Sequence, residues 1–168
     1  MSTQDYKLQK PVWTEADFEQ MGWHDVHVRA IAFHPEIFEL WLDMDYIFSW
    51  VDPQGSDKHY SFWLAPATLV FENVYDLKFD VESYDGDLEL QGIERNEAST
   101  PRNVTTIPKQ TEWRWVLDFN EGQITFRSVG FSQFTRRPPV LVPAQRLTLE
   151  ERGGVSFDRE YAINHGAS

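Results

Sequence analysis

The sequence predicts an all-β, mainly antiparallel fold, either a sandwich or an open barrel of about seven or eight strands with one short N-terminal helix. First, the apolar residues are dominated by aromatics, with seven Trp, six Tyr and twelve Phe, and aromatic residues favour strands. Second, apolar and polar residues alternate in most segments of a predicted β core over residues 25–135. Third, Gly, Pro, Asp and Asn recur between these segments, as is typical of turns. A chain of 168 residues is most simply one domain.

A short helix is predicted over residues 14–21, after a polar tail over residues 1–10 that we expect to be frayed. Thr14 is a good N-cap, acidic residues follow it in the first turn, and Gly22 suits the position after the last turn. Two turns are too short to be stable alone, so packing must hold this helix in place.

After the helix the period changes to two and predicts a hairpin centred on Glu36. On its polar face, His27 lies opposite Asp45 and Arg29 lies opposite Asp43. A shift of one residue would turn charges toward the core, so the register is well specified. We therefore expect a solvent-facing ladder of cross-strand ion pairs.

The second hairpin turns at Gly55 and pairs Trp50 with Tyr60, and Pro66 interrupts its second strand. Later strands are predicted over residues 68–74, 77–82, 88–93, 113–119 and 124–134, with a long loop over 94–110 and a C-terminal tail or edge hairpin over 140–168.

The net charge is strongly negative and unevenly placed. The chain holds 15 basic and 27 acidic residues, a net charge of −12, and residues 1–100 carry 6 of the basic and 20 of the acidic residues. A surface of this sign repels phosphate backbones, so we expect no nucleic-acid partner. It attracts a basic protein by electrostatic steering, although acidity also simply keeps a protein soluble.

The absence of cysteine excludes disulfides and thiolate metal sites and favours a reducing compartment. The N-terminal residues lack the features of a secretory signal, and no apolar run approaches the roughly 20 residues of a membrane span. We expect a cytoplasmic protein with no membrane partner.

Four residues around the first hairpin could do chemistry: His24, His27, Asp43 and Asp45. Imidazole and carboxylate groups suit a divalent metal ion, and His27 with Asp45 could form a base and its orienting carboxylate. The opposed Arg29 argues against a metal site, because it would neutralise Asp43. We therefore expect no catalytic residue and no cofactor, and keep a metal-dependent or acid/base enzyme as the alternative.

Candidate binding residues are mainly aromatic. Trp41 and Trp63 fall on the face opposite the predicted core, where they would anchor a partner or line a cup for a small ligand, unless the helix or the tail covers them. Trp23, His24 and Asp25 lie where the helix meets the first strand. There His24 and Asp25 have a simple role in hydrogen-bonding the local backbone, and we retain all three as candidates.

Three segments carry a resemblance to known proteins: Trp23–Asp25, Tyr46–Pro53 and Leu69–Val74. Over residues 22–135 the chain resembles a family of small, largely uncharacterised bacterial β proteins. The early His-Asp, the two-strand alternation and the later Phe-x-x-Val are also similar to immunity proteins of bacterial toxin systems. This resemblance implies a β fold and transfers no catalytic role. Together with the charge, it predicts a non-enzymatic acidic module that neutralises a basic partner protein.

Overall fold

The computed structural model describes residues 5–163, which form one open, ten-stranded antiparallel sheet with only short helical pieces. The strands are β1 (Val12–Thr14), β2 (Val26–His34), β3 (Glu39–Val51), β4 (Ser61–Glu72), β5 (Tyr75–Val81), β6 (Leu88–Ser99), β7 (Glu112–Phe119), β8 (Gly122–Ser128), β9 (Gly130–Thr135) and β10 (Val140–Val142). Their order in the sheet is β1-β9-β4-β3-β2-β6-β7-β8-β5, and β10 also pairs with β4. The predicted all-β antiparallel class is confirmed. The sheet is not closed into a barrel, and it has more strands than predicted.

The core lies between the two halves of the sheet, where large aromatic side chains meet edge to face. Phe71 on β4 contacts Trp115 on β7 and Phe126 on β8, with ring centroids 5.2 and 4.7 Å apart. Phe131 on β9 joins them, 5.8 Å from Trp115. All four residues are buried, and full burial of such a side chain stabilises the fold by about 1.5–3 kcal/mol. Aromatic content therefore supplies both the strand preference and the core.

The predicted helix is a single 3-10 helix over Glu15–Gln20. Thr14 is its N-cap, as predicted, and it also forms a reciprocal capping box with Asp17. The helix ends at Met21 in an extended conformation, so Gly22 does not serve as the expected left-handed cap. Residues 1–4 of the predicted frayed tail lie outside the described residues. Tyr6, in the same predicted tail, packs against Phe48, with their ring centroids 5.6 Å apart.

The first hairpin contains a β-bulge that the alternation did not reveal. His27 pairs with Asp45 as predicted, but the register shifts between Val28 and Ala30, so that Ala30 pairs with Asp43. One extra residue in β2 moves every later pair by one position. The predicted Arg29–Asp43 pairing is therefore wrong.

The second hairpin also differs from the prediction. Trp50 pairs with Phe62 instead of Tyr60, and a second irregularity follows Ile47. Pro66 does not interrupt β4, which runs through it. It lies where the neighbour of β4 changes from β10 to β9, and a gap in the ladder tolerates a residue without an N–H.

The predicted loop over 94–110 is partly strand, because β6 continues to Ser99. The predicted strand over 124–134 is divided in two at Val129. The tail has no edge hairpin within the described residues: β10 pairs with β4, and a short helix, α1 (Leu149–Arg152), ends at Gly153 in the left-handed conformation. Within residues 5–163, no helix has the length and apolarity that a membrane span requires.

Candidate functional site

A buried cluster of charges lies on the face of β3 that the sequence predicted to be exposed. Asp43 and Asp45 are fully buried, and Arg136 and Arg152 from the C-terminal chain are nearly so. Arg152 donates from both terminal nitrogens to the two oxygens of Asp43 at 2.8 and 2.7 Å, and from Nε to Asp45 at 2.9 Å. Arg136 donates to Asp43 at 2.8 Å. Two buried carboxylates thus meet two buried guanidinium groups.

Backbone amides of the C-terminal chain complete this cluster. The amide of Leu147 donates to Asp45 and that of Ser156 donates to Asp43, both at 3.1 Å. Burial alone disfavours a charged guanidinium, but the hydrogen bonds and the charges of both aspartates outweigh it and raise the pKa of Arg152. Every oxygen of the two carboxylates accepts at least one hydrogen bond. They are therefore occupied in holding the tail on the sheet.

Arg29 contributes to this cluster from the bulge in β2. Its Nη1 lies 3.2 Å from Oδ2 of Asp45, which replaces the predicted contact with Asp43. The predicted solvent-facing ladder is wrong because the C-terminal chain covers this face. Polar alternation reports which side chains share a face, whereas burial depends on what packs over it.

A second, partly exposed polar cluster lies where β2 meets β6. His27 Nδ1 lies 3.0 Å from Asp87, and His27 Nε2 lies 3.8 Å from Glu89. Arg146 donates to Asp87 at 2.6 Å and approaches His27 Nδ1 to 3.2 Å. Nδ1 can serve only one of these neighbours at a time, because it donates to Asp87 when protonated and accepts from Arg146 when not.

The pKa values of the two carboxyl groups in this cluster are shifted in opposite directions. Burial would raise the pKa of Asp87, but the hydrogen bonds and charges of His27 and Arg146 outweigh it and lower that pKa. Burial, followed by a hydrogen bond with Asp25, raises the pKa of Glu89, against the opposing charge of His27. Asp25 and Glu89 are thus neighbouring carboxyl groups, and this proximity helps to raise the pKa of Glu89.

Asp25 connects this cluster to the surface. Its backbone is left-handed, with φ of 63°, a conformation that Asp tolerates better than most residues. Oδ2 accepts a hydrogen bond from Gln145 at 2.9 Å and lies 3.0 Å from Nδ1 of the exposed His24. Asp25 thus contacts His24 and a loop 120 residues away in sequence, whereas the expected role was a hydrogen bond with the local backbone.

An open cleft of about 420 Å³ lies in front of Asp25. Trp50 and Tyr60 contribute exposed aromatic surface to it, and their ring centroids are 5.8 Å apart. Phe62 lies 5.1 Å from Trp50. The complete lining is Asp25, Trp50, Lys58, His59, Tyr60, Phe62, Pro143, Ala144 and Gln145.

The four candidate metal ligands do not converge. Asp43 and Asp45 are saturated by arginines, His27 is directed to Asp87 and Glu89, and His24 is exposed beside Asp25. Within residues 5–163, no group of three or more His, Asp or Glu side chains is arranged to hold a metal ion.

The three candidate tryptophans have different environments. Trp23 is buried, and its Nε1 donates to Gln133 at 2.9 Å, so it belongs to the core. Trp41 is half-buried against Phe157 of the tail, and Trp63 is half-buried against Tyr6 of the N-terminal segment. The C-terminal tail thus covers part of Trp41, and Tyr6, which precedes the helix, covers part of Trp63.

Much of the charge asymmetry is resolved within the molecule, because arginines of the second half pair with acids of the first. One group of exposed acidic residues lies on β5, the strand at one end of the sheet, and on the loop after it. Asp80, Glu82 and Asp85 are exposed there, and no basic side chain of the described residues forms an ion pair with them. Phe79 and Tyr84 are exposed beside them. This surface, residues 79–85, is called the acidic edge below.

Sequence reasoning missed the partners that organise both clusters. Arg136 and Arg152 hold the two aspartates, and Asp87, Glu89 and Arg146 surround His27. The excess of basic residues after position 100 was the available signal, since a basic tail and an acidic sheet attract each other.

Comparisons of the chain with models of known protein families, with curated proteins and with solved structures found no match.

Proposed function

We propose that this protein is a non-enzymatic module that binds a basic segment of a partner protein along the acidic edge. The observation that carries the proposal is the coincidence of three unpaired carboxylates, two exposed aromatic side chains and a terminal strand. The resemblance to immunity proteins supports the more specific form, in which binding neutralises a basic toxin in the cytoplasm.

The physical basis is strand addition. A terminal strand offers backbone donors and acceptors to an extended peptide, and side chains then select which peptide binds. Here Asp80 and Glu82 favour lysine and arginine through complementary charge. Phe79 is 51% exposed and supplies the apolar anchor that charge alone lacks.

Charged residues on a terminal strand also have a protective role, because they prevent sheets from pairing edge to edge. Protection by charge predicts no affinity for any strand, whereas the proposal predicts selective affinity for a basic one. An eight-residue peptide of alternating Lys and Val therefore separates the two, with a Glu and Val peptide of equal length as its control.

The test is calorimetric titration of the intact protein, with amide chemical shifts recorded in parallel. We expect the basic peptide alone to bind, to shift amides of β5 (Tyr75–Val81), and to weaken strongly between about 0.01 M and about 1 M salt as the Debye length falls from roughly 30 to 3 Å.

The double variant Asp80→Asn/Glu82→Gln should weaken binding at least about tenfold, since it removes two complementary charges. The matched control is Asp52→Asn/Asp57→Asn, which removes two exposed charges from the loop between β3 and β4. Equal effects of the two double variants, or shifts outside β5, would overturn the proposal, because attraction by net charge alone would then be sufficient.

A further inference from the structure

We propose that the cleft in front of Asp25 is a binding site for a small organic ammonium ion. The cleft is formed by the start of β2, the ends of β3 and β4 that face each other, and the loop after β10. It is distinct from the acidic edge, and none of its lining residues belongs to β5. The inference therefore does not rest on the proposed function.

Exposed aromatic side chains make the cleft attractive to a soft cation. Trp50 and Tyr60 are 47% and 46% exposed, which is a large apolar surface to leave in water at one place. Phe62 is itself buried and packs edge to face with Trp50, as Tyr60 does, with ring centroids 5.1 and 5.8 Å from that of Trp50, so Trp50 and Tyr60 supply the exposed ring surface. Ring faces carry negative potential, so such a surface attracts a soft cation that is weakly hydrated.

Asp25 adds a negative charge, because its carboxylate lines the same cleft as the rings. Its side chain is only 16% exposed, and Gln145 holds it through a hydrogen bond that requires no reorganisation on binding. A neutral apolar ligand would cover this carboxylate without replacing its water, whereas an ammonium ion compensates its charge.

The remaining ionisable groups at the cleft are Lys58, His59 and His24. Lys58 and His59 are exposed, so water screens their charges. His24 is exposed too, but its Nδ1 lies 3.0 Å from Oδ2 of Asp25 and its ring lies 6.3 Å from that of Trp50, so a ligand must share this carboxylate with it. The long side chain of Lys58 can keep its ammonium group in solvent. The partly buried charge that faces the rings is therefore negative, which selects a cation over an anion.

The test is titration of the intact protein with tetramethylammonium chloride while the indole N–H signals are recorded by NMR. The Trp50 signal is assigned by its loss in Trp50→Phe. We expect this signal to shift saturably with a midpoint on the order of 1 mM. Sodium chloride and tert-butyl alcohol, which supply a hard cation and a neutral ligand of similar shape, should not produce the shift.

Asp25→Asn is the decisive variant, because Asn also tolerates the left-handed backbone and keeps the shape of the side chain. It should raise the midpoint at least about tenfold. Asp57→Asn removes one charge from the neighbouring loop without lining the cleft and should leave the midpoint unchanged. A Trp50 response to tert-butyl alcohol equal to that to tetramethylammonium, no saturable response at all, or equal effects of the two variants would overturn the inference. The double variant Asp80→Asn/Glu82→Gln should leave this site intact, which separates it from the proposed function.

Discussion

Replacing Arg152 by methionine should destabilise the protein by about 3–5 kcal/mol, the usual cost of removing one partner from a buried ion pair. Arg152 donates three hydrogen bonds to Asp43 and Asp45, and a hydrogen bond to a charged group contributes about 1.5–3 kcal/mol. Their simple sum is an upper bound, because each aspartate keeps another arginine and a backbone amide. The expected loss is a large part of the roughly 5–15 kcal/mol that stabilises a typical domain.

Equilibrium unfolding in urea, followed by tryptophan fluorescence and circular dichroism, measures this loss. In a thermal scan it corresponds to a fall in Tm of about 6–20 °C, since 1 kcal/mol shifts the Tm of a domain of this size by about 2–4 °C. Arg159→Met is the matched control. It removes the same functional group from the same tail, but Arg159 is exposed, and its pair with the half-buried Glu39 contributes about 1 kcal/mol or less.

Equal losses of stability in Arg152→Met and Arg159→Met, within about 1 kcal/mol, would contradict this prediction. That result would mean that the buried carboxylates find other partners or water when Arg152 is absent. The C-terminal chain would then be held on the sheet by its apolar contacts alone.

Three further predictions follow from other parts of the molecule. The lowered pKa of Asp87 means that its stabilisation is present above its unfolded-state pKa and is lost as the pH falls through its folded-state pKa; Asp87→Asn should therefore lower stability at neutral pH and flatten the acid limb of a stability–pH curve, whereas an unchanged limb would contradict this. Trp23→Phe should cost about 2–4 kcal/mol in urea unfolding, because it leaves the buried amide of Gln133, whose Nε2 already has no partner, without its donor; a loss below about 1 kcal/mol would argue against that accounting. Gly122→Ala should cost about 1–3 kcal/mol and accelerate amide exchange in β5, since φ is 138° and the new Cβ would collide with the carbonyl of Asp80; wild-type exchange rates there would be the contrary result.

Register shows how far local pattern extends in this chain. The alternation in the first hairpin correctly pairs His27 with Asp45. It cannot reveal the bulge at Arg29, because an extra residue in one strand leaves no distinct mark in the local pattern of apolar and polar residues. The same limit applies at Pro66, which looks like the end of a strand. It lies inside β4 because the adjacent strand changes at that point, and this depends on where residues 130–142 return.

The partners that form the candidate site could not be predicted from the sequence. Asp43 and Asp45 alternate with apolar residues, and that pattern normally indicates a solvated face. Their partners, Arg136 and Arg152, lie more than 90 residues away in sequence, and a single sequence contains no local signal for such pairs. Asp25 was singled out from its position, but the cleft in front of it depends on residues from four separate segments.

Properties that arise between neighbouring residues can be predicted from the amino-acid sequence. Aromatic content and a period of two specify antiparallel strands, and Thr14 with Asp17 specifies the helix cap, because these preferences act over a few residues of backbone. Which polar face is covered by other parts of the chain depends on the tertiary structure. The C-terminal chain folds over β3, and its arginines turn a face that was predicted to be solvent-exposed into a buried cluster of charges. Burial and charge pairing are sums over the whole fold, so no segment contains them.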